Sequence, residues 1–328
     1  MDTHRVDILY ADSSTEKEGS GDRIIQRADL TIGGEIGRGG FGIVYRGTWK
    51  MTDVAIKELL LGQLSHHAVE ELKAEALTMS ALRHPNIVQF LGYSIDPRPC
   101  IVMEYMPRGS LHLLLRNREV EISWDMRIRI ALDITRGLTY LHAKNIVHRD
   151  IKSMNVLLTA EKACLADFGL ARVKTETRAA TTNIVQAVGT LRWMAPELFS
   201  PRAVLTRKSD VYSLGFTLWE LATSKLPFES TSSNELIGLW VKQGTREDIP
   251  EDCPAKLASA ITSCWHADPN CRPEADAVAT LLMSVEEEKE ARNNASAGLI
   301  LPVMPSPPIP HPPSDECSNS LLLSCPAL

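Results

Sequence analysis

Aromatic side chains, long apolar runs and an excess of positive charge are all scarce in this chain of 328 residues. Aromatics make up only 5%, so any core must be built chiefly from aliphatic side chains. No stretch approaches the roughly 18 apolar residues that a transmembrane helix needs. The opening residues, Met1 to Glu18, are polar and acidic without an apolar h-region, so no secretory signal is expected. A formal net charge of −6 gives no electrostatic footprint for nucleic acid or an anionic membrane. No two of the cysteines, Cys100, Cys164, Cys253, Cys264, Cys271, Cys317 and Cys325, have C-x-x-C spacing. Their odd number and scattered placement argue against a disulfide framework or a zinc site and point to a reducing compartment. Asn294-Ala295-Ser296 matches a glycosylation sequon by spacing alone. No internal repeat is present.

With 44% hydrophobic and 23% charged residues, the composition is that of an ordinary globular protein with ample length for a core. Residues 1–26 are polar and read as a disordered lead-in. From about Leu30 to Met106 short β-branched and aromatic runs predict strands: Ile43-Val44-Tyr45, Val54-Ala55-Ile56, Ile87-Val88-Gln89-Phe90 and Ile101-Val102-Met103. Between them, Val69, Leu72, Ala76, Met79 and Leu82 recur at spacings of three and four, which predicts a helix over 67–82. After Pro107-Arg108-Gly109 the chain turns helical. Met126, Ile130, Ile134, Leu138 and Leu141 mark one face of a helix from about Trp124 to Ala143, with Ser123 as its N-cap. Short apolar runs follow at Val156-Leu157-Leu158 and Ala163-Cys164-Leu165, then helical segments over 209–223, 233–242, 254–264 and 273–288. Pro302, Pro305, Pro307, Pro308, Pro310, Pro312 and Pro313 mark the segment 291–328 as extended or disordered. The expected layout is a small β-rich lobe, a short connection near 104–109 and a larger helical lobe. Ligand sites favour clefts between such lobes.

Five motifs carry candidate chemistry. Gly37-Arg38-Gly39-Gly40-Phe41-Gly42 allows backbone N–H groups to approach phosphate oxygens. The same run also reads as a plain glycine-rich hairpin. A dinucleotide fingerprint is excluded, because Val44-Tyr45 continues as strand where a helix is required. Lys57 follows an apolar strand run, and Glu75 falls on the predicted helix; together they form either a phosphate-binding ion pair or two surface charges. His148-Arg149-Asp150-Ile151-Lys152-Ser153-Met154-Asn155 supplies, in one loop, a base for a hydroxyl proton (Asp150), a cation (Lys152) and a metal ligand (Asn155). Asp167-Phe168-Gly169 adds a second metal ligand, Asp167, with Phe168 expected to pack under the helix that carries Glu75. Gly189-Thr190-Leu191-Arg192-Trp193-Met194-Ala195-Pro196-Glu197 closes the segment that Asp167 opens. Arg272 is expected to pair with Glu197, and Asp210 to brace the backbone near His148.

In this order and over Leu30 to Glu287, these residues resemble the eukaryotic protein kinase family. Within it, the wording of the loop at 148–155 and of the segment 189–197 is similar to the tyrosine-kinase-like group, which contains Raf and mixed-lineage kinases. The resemblance implies an α+β, bilobal kinase fold over 27–290, with an N-lobe over 27–103, a hinge over 104–109 and a C-lobe over 110–290. It implies ATP as donor, Mg²⁺ as metal with Mn²⁺ as an alternative, and serine or threonine of protein substrates as acceptor. Lys57, Asp150, Lys152, Asn155 and Asp167 become the catalytic set, with Asn155 and Asp167 on the metal. The nucleotide-binding set is Ile36, Gly37, Gly39, Gly40, Gly42, Val44, Ala55, Lys57, Glu75, Met103, Glu104, Met106 and Leu157. Met103 takes the gatekeeper position. Met79, Phe90, His148 and Phe168 form a stacked column. Lys152 and Thr190 favour serine and threonine; dual-specificity or tyrosine transfer, and a silent nucleotide-binding scaffold, are the alternatives.

Among Thr175, Thr177, Thr181, Thr182 and Thr190, a phosphate on Thr181 or Thr182 could pair with Arg149, placed there by an upstream kinase or in trans by a second copy. The proline-rich tail reads as a spacer, with docking to an SH3 or WW domain as the alternative. The ending Cys325-Pro326-Ala327-Leu328 fits the letter of a prenylation box, but no polybasic patch accompanies it. A cytoplasmic location is the expectation.

Overall fold

The computed structural model describes residues 23–39, 42–59, 76, 79–95, 98–167, 191–200 and 203–285, all within the compact unit Met1–Glu287. The N-terminal part is a five-stranded antiparallel sheet: β1 Leu30–Gly39, β2 Gly42–Trp49, β3 Thr52–Leu59, β4 Phe90–Ser94 and β5 Cys100–Glu104, in the order β1-β2-β3-β5-β4. The face opposite Ala55 and Lys57 buries Val54, Ile56 and Val102 with Ile25 and Leu30. Ile25 comes from a short segment along the β4 edge, where its N–H donates to Tyr93 O at 2.8 Å and Arg23 O accepts from Tyr93 N at 2.9 Å. That segment satisfies backbone groups an open sheet edge would expose.

The expected strand at 87–90 contributes only Phe90 to the sheet. Ile87 instead forms a parallel bridge with Leu165, and Val88 N donates to Leu165 O at 2.9 Å. This stretch therefore fastens the sheet to the helical part. Of the predicted helix over 67–82, the described residues 76, 79 and 80 are helical. Leu82 lies past its end, where its N–H closes a turn on Met79 O.

The remainder is mainly helical: α1 Leu111–Arg116, α2 Trp124–Ala143, α3 Arg207–Thr223, α4 Asn234–Lys242 and α5 Ala255–Cys264, followed by helical residues 275–285. A two-stranded ribbon, β6 Val156–Leu158 with β7 Ala163–Leu165, lies between α2 and α3 in the chain. Helix α2 has the predicted bounds, and Ser123 Oγ accepts from Met126 N at its start. Ile128, Ile134, Leu138 and Leu141 on this helix are buried. Each such side chain contributes about 1.5–3 kcal/mol by leaving water. Gly137 is required on α2, because a Cβ there would stand 2.6 Å from Asn86 O. Helix α3 begins with a capping box between Thr206 and Ser209 and is buried along most of its length. It forms the axis of the helical part, with Phe216 packed among Tyr212, Phe228 and Trp265. No described helix is long and apolar enough to cross a membrane.

Candidate active site

Three chain segments converge beside β3, the central strand of the sheet. Lys57 on β3 is 6% exposed, and its Nζ donates to Asp167 Oδ1 at 2.6 Å. Asp167 follows β7 and holds a left-handed backbone, φ 59°. Burial confines the lysine head between the two parts of the fold, where desolvation strengthens its attraction to the carboxylate. Glu75, the other expected partner of Lys57, lies outside the described residues.

The loop after α2 supplies the second group. Lys152 Nζ donates to both oxygens of Asp150 at 3.0 Å. Asn155 Nδ2 donates to Asp150 O at 2.7 Å and to its Oδ2 at 3.0 Å. The Asp150 carboxylate is thus fixed between a cation and an amide. Asn155 sits in the 3-10 turn Ser153–Asn155, and its carbonyl accepts from Ala166 N at 2.9 Å. That bond ties the loop to the residue preceding Asp167.

Helix α3 supports the loop from below. Asp210, 2% exposed, accepts from His148 N at 2.7 Å, Arg149 N at 2.8 Å and the His142 ring at 3.0 Å. The expected brace at His148 is present. It also holds Arg149 at φ 72°, a left-handed conformation that an L-residue rarely adopts. His148 is fully buried, and burial pushes its imidazole below the usual range against the opposing pull of Asp210, Asp150 and Asp167. Arg272, 2% exposed, binds Glu197 through both terminal nitrogens at 2.7 Å. Its Nε donates to His266 O at 2.8 Å, and its guanidinium lies 4.9 Å over the Tyr212 ring.

The apolar wall of the cleft is also in place. Met106, Val88, Cys164 and Ala166 form a buried cluster with Met103 and Leu157 against it. Met103 pairs across strands with Ala55 and Phe90, and Val44 with Lys57. Glu104 N donates to Gln89 O at 2.9 Å, and the Glu104 carboxylate meets Lys162 Nζ at 3.1 Å. The first motif is a hairpin, with Gly39 opposite Gly42. Gly42 has a packing reason, since a Cβ there would lie 2.2 Å from Glu58 O. Gly37 and Gly39 have none: a Cβ would just touch Val44 at the first and meet nothing at the second. Ile36, beside them on β1, is exposed. Gly40, Phe168, Gly169, Thr190 and the candidate threonines 175–182 lie outside the described residues.

A buried lysine on an acid, an aspartate held between Lys and Asn on one short loop, and the loop's brace on a central helix decide the family. The chain belongs to the protein tyrosine and serine/threonine kinase family. The family model matches residues 30–282. The kinase domain is 37% identical over 300 residues to the probable serine/threonine-protein kinase drkD of Dictyostelium discoideum, covering 89% of this chain and 22% of that protein. It is 36% identical over 291 residues to the serine/threonine/tyrosine-protein kinase HT1 of Arabidopsis thaliana, covering 85% of this chain and 73% of that protein. With the serine/threonine-protein kinase STY46 of the same plant it shares 37% over 277 residues, 82% of this chain and 47% of that protein. Several relatives are thus much longer, the chain spanning 22% of drkD and 28% of the probable serine/threonine-protein kinase SIS8 of Arabidopsis thaliana.

Sequence reasoning gave no role to His142, Ser153, Trp193 and Glu220, buried polar groups of which the first bonds Asp210 and the other three bond one another through Glu220. One signal for Glu220 was available. It is a lone acid inside the apolar run Leu214 to Ala222, and a buried carboxylate requires donors.

Proposed function

We propose that this protein transfers the γ-phosphoryl group of Mg²⁺·ATP to serine and threonine hydroxyls of protein substrates, as a member of the tyrosine-kinase-like group. The observation that carries the reading is Asp150, held between Lys152 and Asn155 on one loop. The residues fit the metal and the nucleotide. Asn155 commits Nδ2 to Asp150, which leaves its oxygen as a ligand atom, and Lys57 engages one oxygen of a partly exposed Asp167 carboxylate. Hard oxygen donors of this kind suit Mg²⁺. When bound, the metal supplies neutralisation of phosphate charge. Gly37 and Gly39 leave room for phosphates to approach backbone N–H groups, which no packing demand explains otherwise. Val44, Ala55, Leu157 and Met106 would enclose the adenine, with the 104–106 backbone along its edge.

Each side chain then has one task. Lys57 orients the α- and β-phosphates. Asp150 orients the acceptor hydroxyl and takes its proton as the new O–P bond forms. The bond from the γ-phosphorus to the bridging oxygen breaks, and ADP leaves. Lys152 stabilises charge on the transferring group. Positioning and preorganised electrostatics supply the rate.

The names of drkD and STY46 support serine and threonine as acceptors. The name of HT1 favours dual specificity as the second reading. Control by phosphate on Thr181 or Thr182 and a cytoplasmic site of action accompany the proposal. The test is transfer from γ-labelled ATP with Mg²⁺ to a generic protein acceptor, followed by hydrolysis to phosphoamino acids. Label on serine and threonine supports the first reading, and added label on tyrosine the second. No transfer, even after treatment with an activating kinase extract, would contradict both.

A further inference from the structure

A second concavity lies on the face of the sheet opposite Lys57. It is a cavity of about 610 Å³, floored by Pro85, Ile87 and Leu91 and rimmed by Thr52, Arg83 and Lys162. Leu91 also packs against the cluster of Val54, Ile56, Val102 and Ile25, so the cavity continues the face that Ile25 covers. The two acids on its lining are already committed. Asp53 holds Arg46 at 2.8 Å, and Glu104 holds Lys162 at 3.1 Å. Arg83 enters no ion pair among the described residues; its Nη1 donates to Leu82 O at 2.9 Å. Its backbone N–H donates to Tyr140 Oη at 2.9 Å, which fixes it at the rim. His84 stacks on the same Tyr140 at 4.8 Å, and its imidazole is held below the usual range by burial and by Arg136 of α2. The floor of the cavity is thus apolar and the free charge beside it positive.

The chain at Arg23 is aimed toward this cavity. Ile24 bridges Tyr93 in parallel, and Arg23 Nη1 reaches along β4 to Phe90 O at 3.1 Å. Gly92 permits the approach, since a Cβ there would lie 2.6 Å from Arg23 O. Parallel pairing sets earlier residues beside earlier ones, so the chain before Arg23 is led toward Leu91 and Gln89, both on the lining. These two lie about 7 and 13 Å back along β4 from Tyr93. Residues 1–22 precede Arg23, and they carry an apolar run, Ile8-Leu9-Tyr10, followed by Asp12, Glu16, Glu18 and Asp22 against Lys17 alone.

We propose that this cavity is the docking site of the chain's own lead-in: Ile8-Leu9-Tyr10 seat on Pro85, Ile87 and Leu91, and the acids of 12–22 meet Arg83 and Arg136. Residues 11–22 form the tether. As a flexible coil they span about 20 Å, which covers the distance. Gly19 and Gly21 let the tether turn. A tether of this length holds the apolar run at an effective concentration on the order of millimolar, so a weak contact suffices. Apolar burial supplies the affinity, and the charges set which segment docks.

The experiment places the photo-crosslinking residue p-benzoylphenylalanine at Thr52, an exposed rim position, in the full chain. After illumination, mass spectrometry maps the attachment. The expected product is a monomer crosslinked to residues 6–22, in a yield that does not change on dilution. Ile8→Asp with Leu9→Asp should lower that yield by about tenfold or more, and Arg83→Glu by about three- to tenfold. Glu16→Arg with Glu18→Arg should restore much of the yield lost in the Arg83→Glu chain. The substitutions at residues 8 and 9 leave the core described above intact and carry the test if Arg83→Glu does not fold, which urea unfolding reports. A crosslink elsewhere in the chain, or none, would overturn the proposal. So would a crosslinked dimer whose yield rises with concentration, which would assign the cavity to a second copy. The readout involves no phosphoryl transfer, so each outcome leaves the kinase reading as it stands.

Discussion

Replacing Asp210 by asparagine removes one acceptor oxygen from a site where two backbone N–H groups and a histidine ring converge. The asparagine oxygen can serve one backbone donor. Its NH₂ then faces the other, so one bond is lost and two donors are opposed. Charge-assisted bonds to a buried carboxylate are worth about 1.5–3 kcal/mol each, and an orphaned backbone donor costs about 1–3 kcal/mol. The sum is a loss of about 2.5–6 kcal/mol, a large part of the 5–15 kcal/mol typical of a domain. A second effect is local. Arg149 sits at φ 72°, and the Asp210 carboxylate is what holds its N–H in that strained turn. Relaxation of the turn would displace Asp150, the next residue. Equilibrium urea unfolding followed by tryptophan fluorescence reads the first effect, and peptide phosphorylation at saturating ATP reads the second. The expected result is a lower midpoint at unchanged slope and a kcat reduced by at least about tenfold. A stability change below about 0.5 kcal/mol, the range of ordinary surface substitutions, together with an unaltered kcat, would refute the reasoning.

Three further outcomes follow from the same geometry. Burial raises the Glu220 carboxyl from 4.5 to about 7, so the folded state holds its proton more tightly than the unfolded chain. The associated stability is fully present below about pH 4.5 and is lost as pH rises through about 7, at most about 3 kcal/mol; Glu220→Gln should therefore lose less stability than wild type between pH 5 and pH 8 in urea titrations. Arg272→Met should lower stability by about 3–5 kcal/mol, because it strips Glu197 of its bidentate partner and leaves the carbonyls of His266 and Lys208 without that donor; calorimetry reads this directly. Gly39→Ala should raise the KM for ATP with little change in melting temperature, whereas Gly42→Ala, whose Cβ would lie 2.2 Å from Glu58 O, should lower the melting temperature by several degrees.

The parts of the fold that rest on local pattern were legible in the sequence. Helix α2 shows its apolar face at helical spacing and an N-cap at Ser123, so both its bounds agree with the expectation. The ribbon β6–β7 is two short apolar runs and was equally visible. Ile87-Val88 misled because a β-branched run signals burial in extended backbone without naming the partner; β7 captures these two residues, while β5 holds Gln89. Helix α1 was missed because six residues, Leu111–Arg116, are too few to show a period. At the site, the loop 148–155 was legible because all its groups lie within one short stretch. Arg272 with Glu197 and Asp210 with His148 were expected alongside the motifs, and both pairs form. The Glu220 acceptor and its donors Ser153 and Trp193 were not: they are far apart in the chain, and only the fold brings them together.

The central claim is that Asp150 handles the acceptor hydroxyl while Lys57, Asn155 and Asp167 serve the nucleotide and its metal. The most direct measurement is the rate of phosphoryl transfer by Asp150→Asn beside its affinity for Mg²⁺·ATP, both relative to wild type. The account predicts a kcat lower by at least about a hundredfold, the range of a lost general base, with nucleotide affinity within about threefold. Transfer at the wild-type rate in a folded Asp150→Asn variant would contradict it.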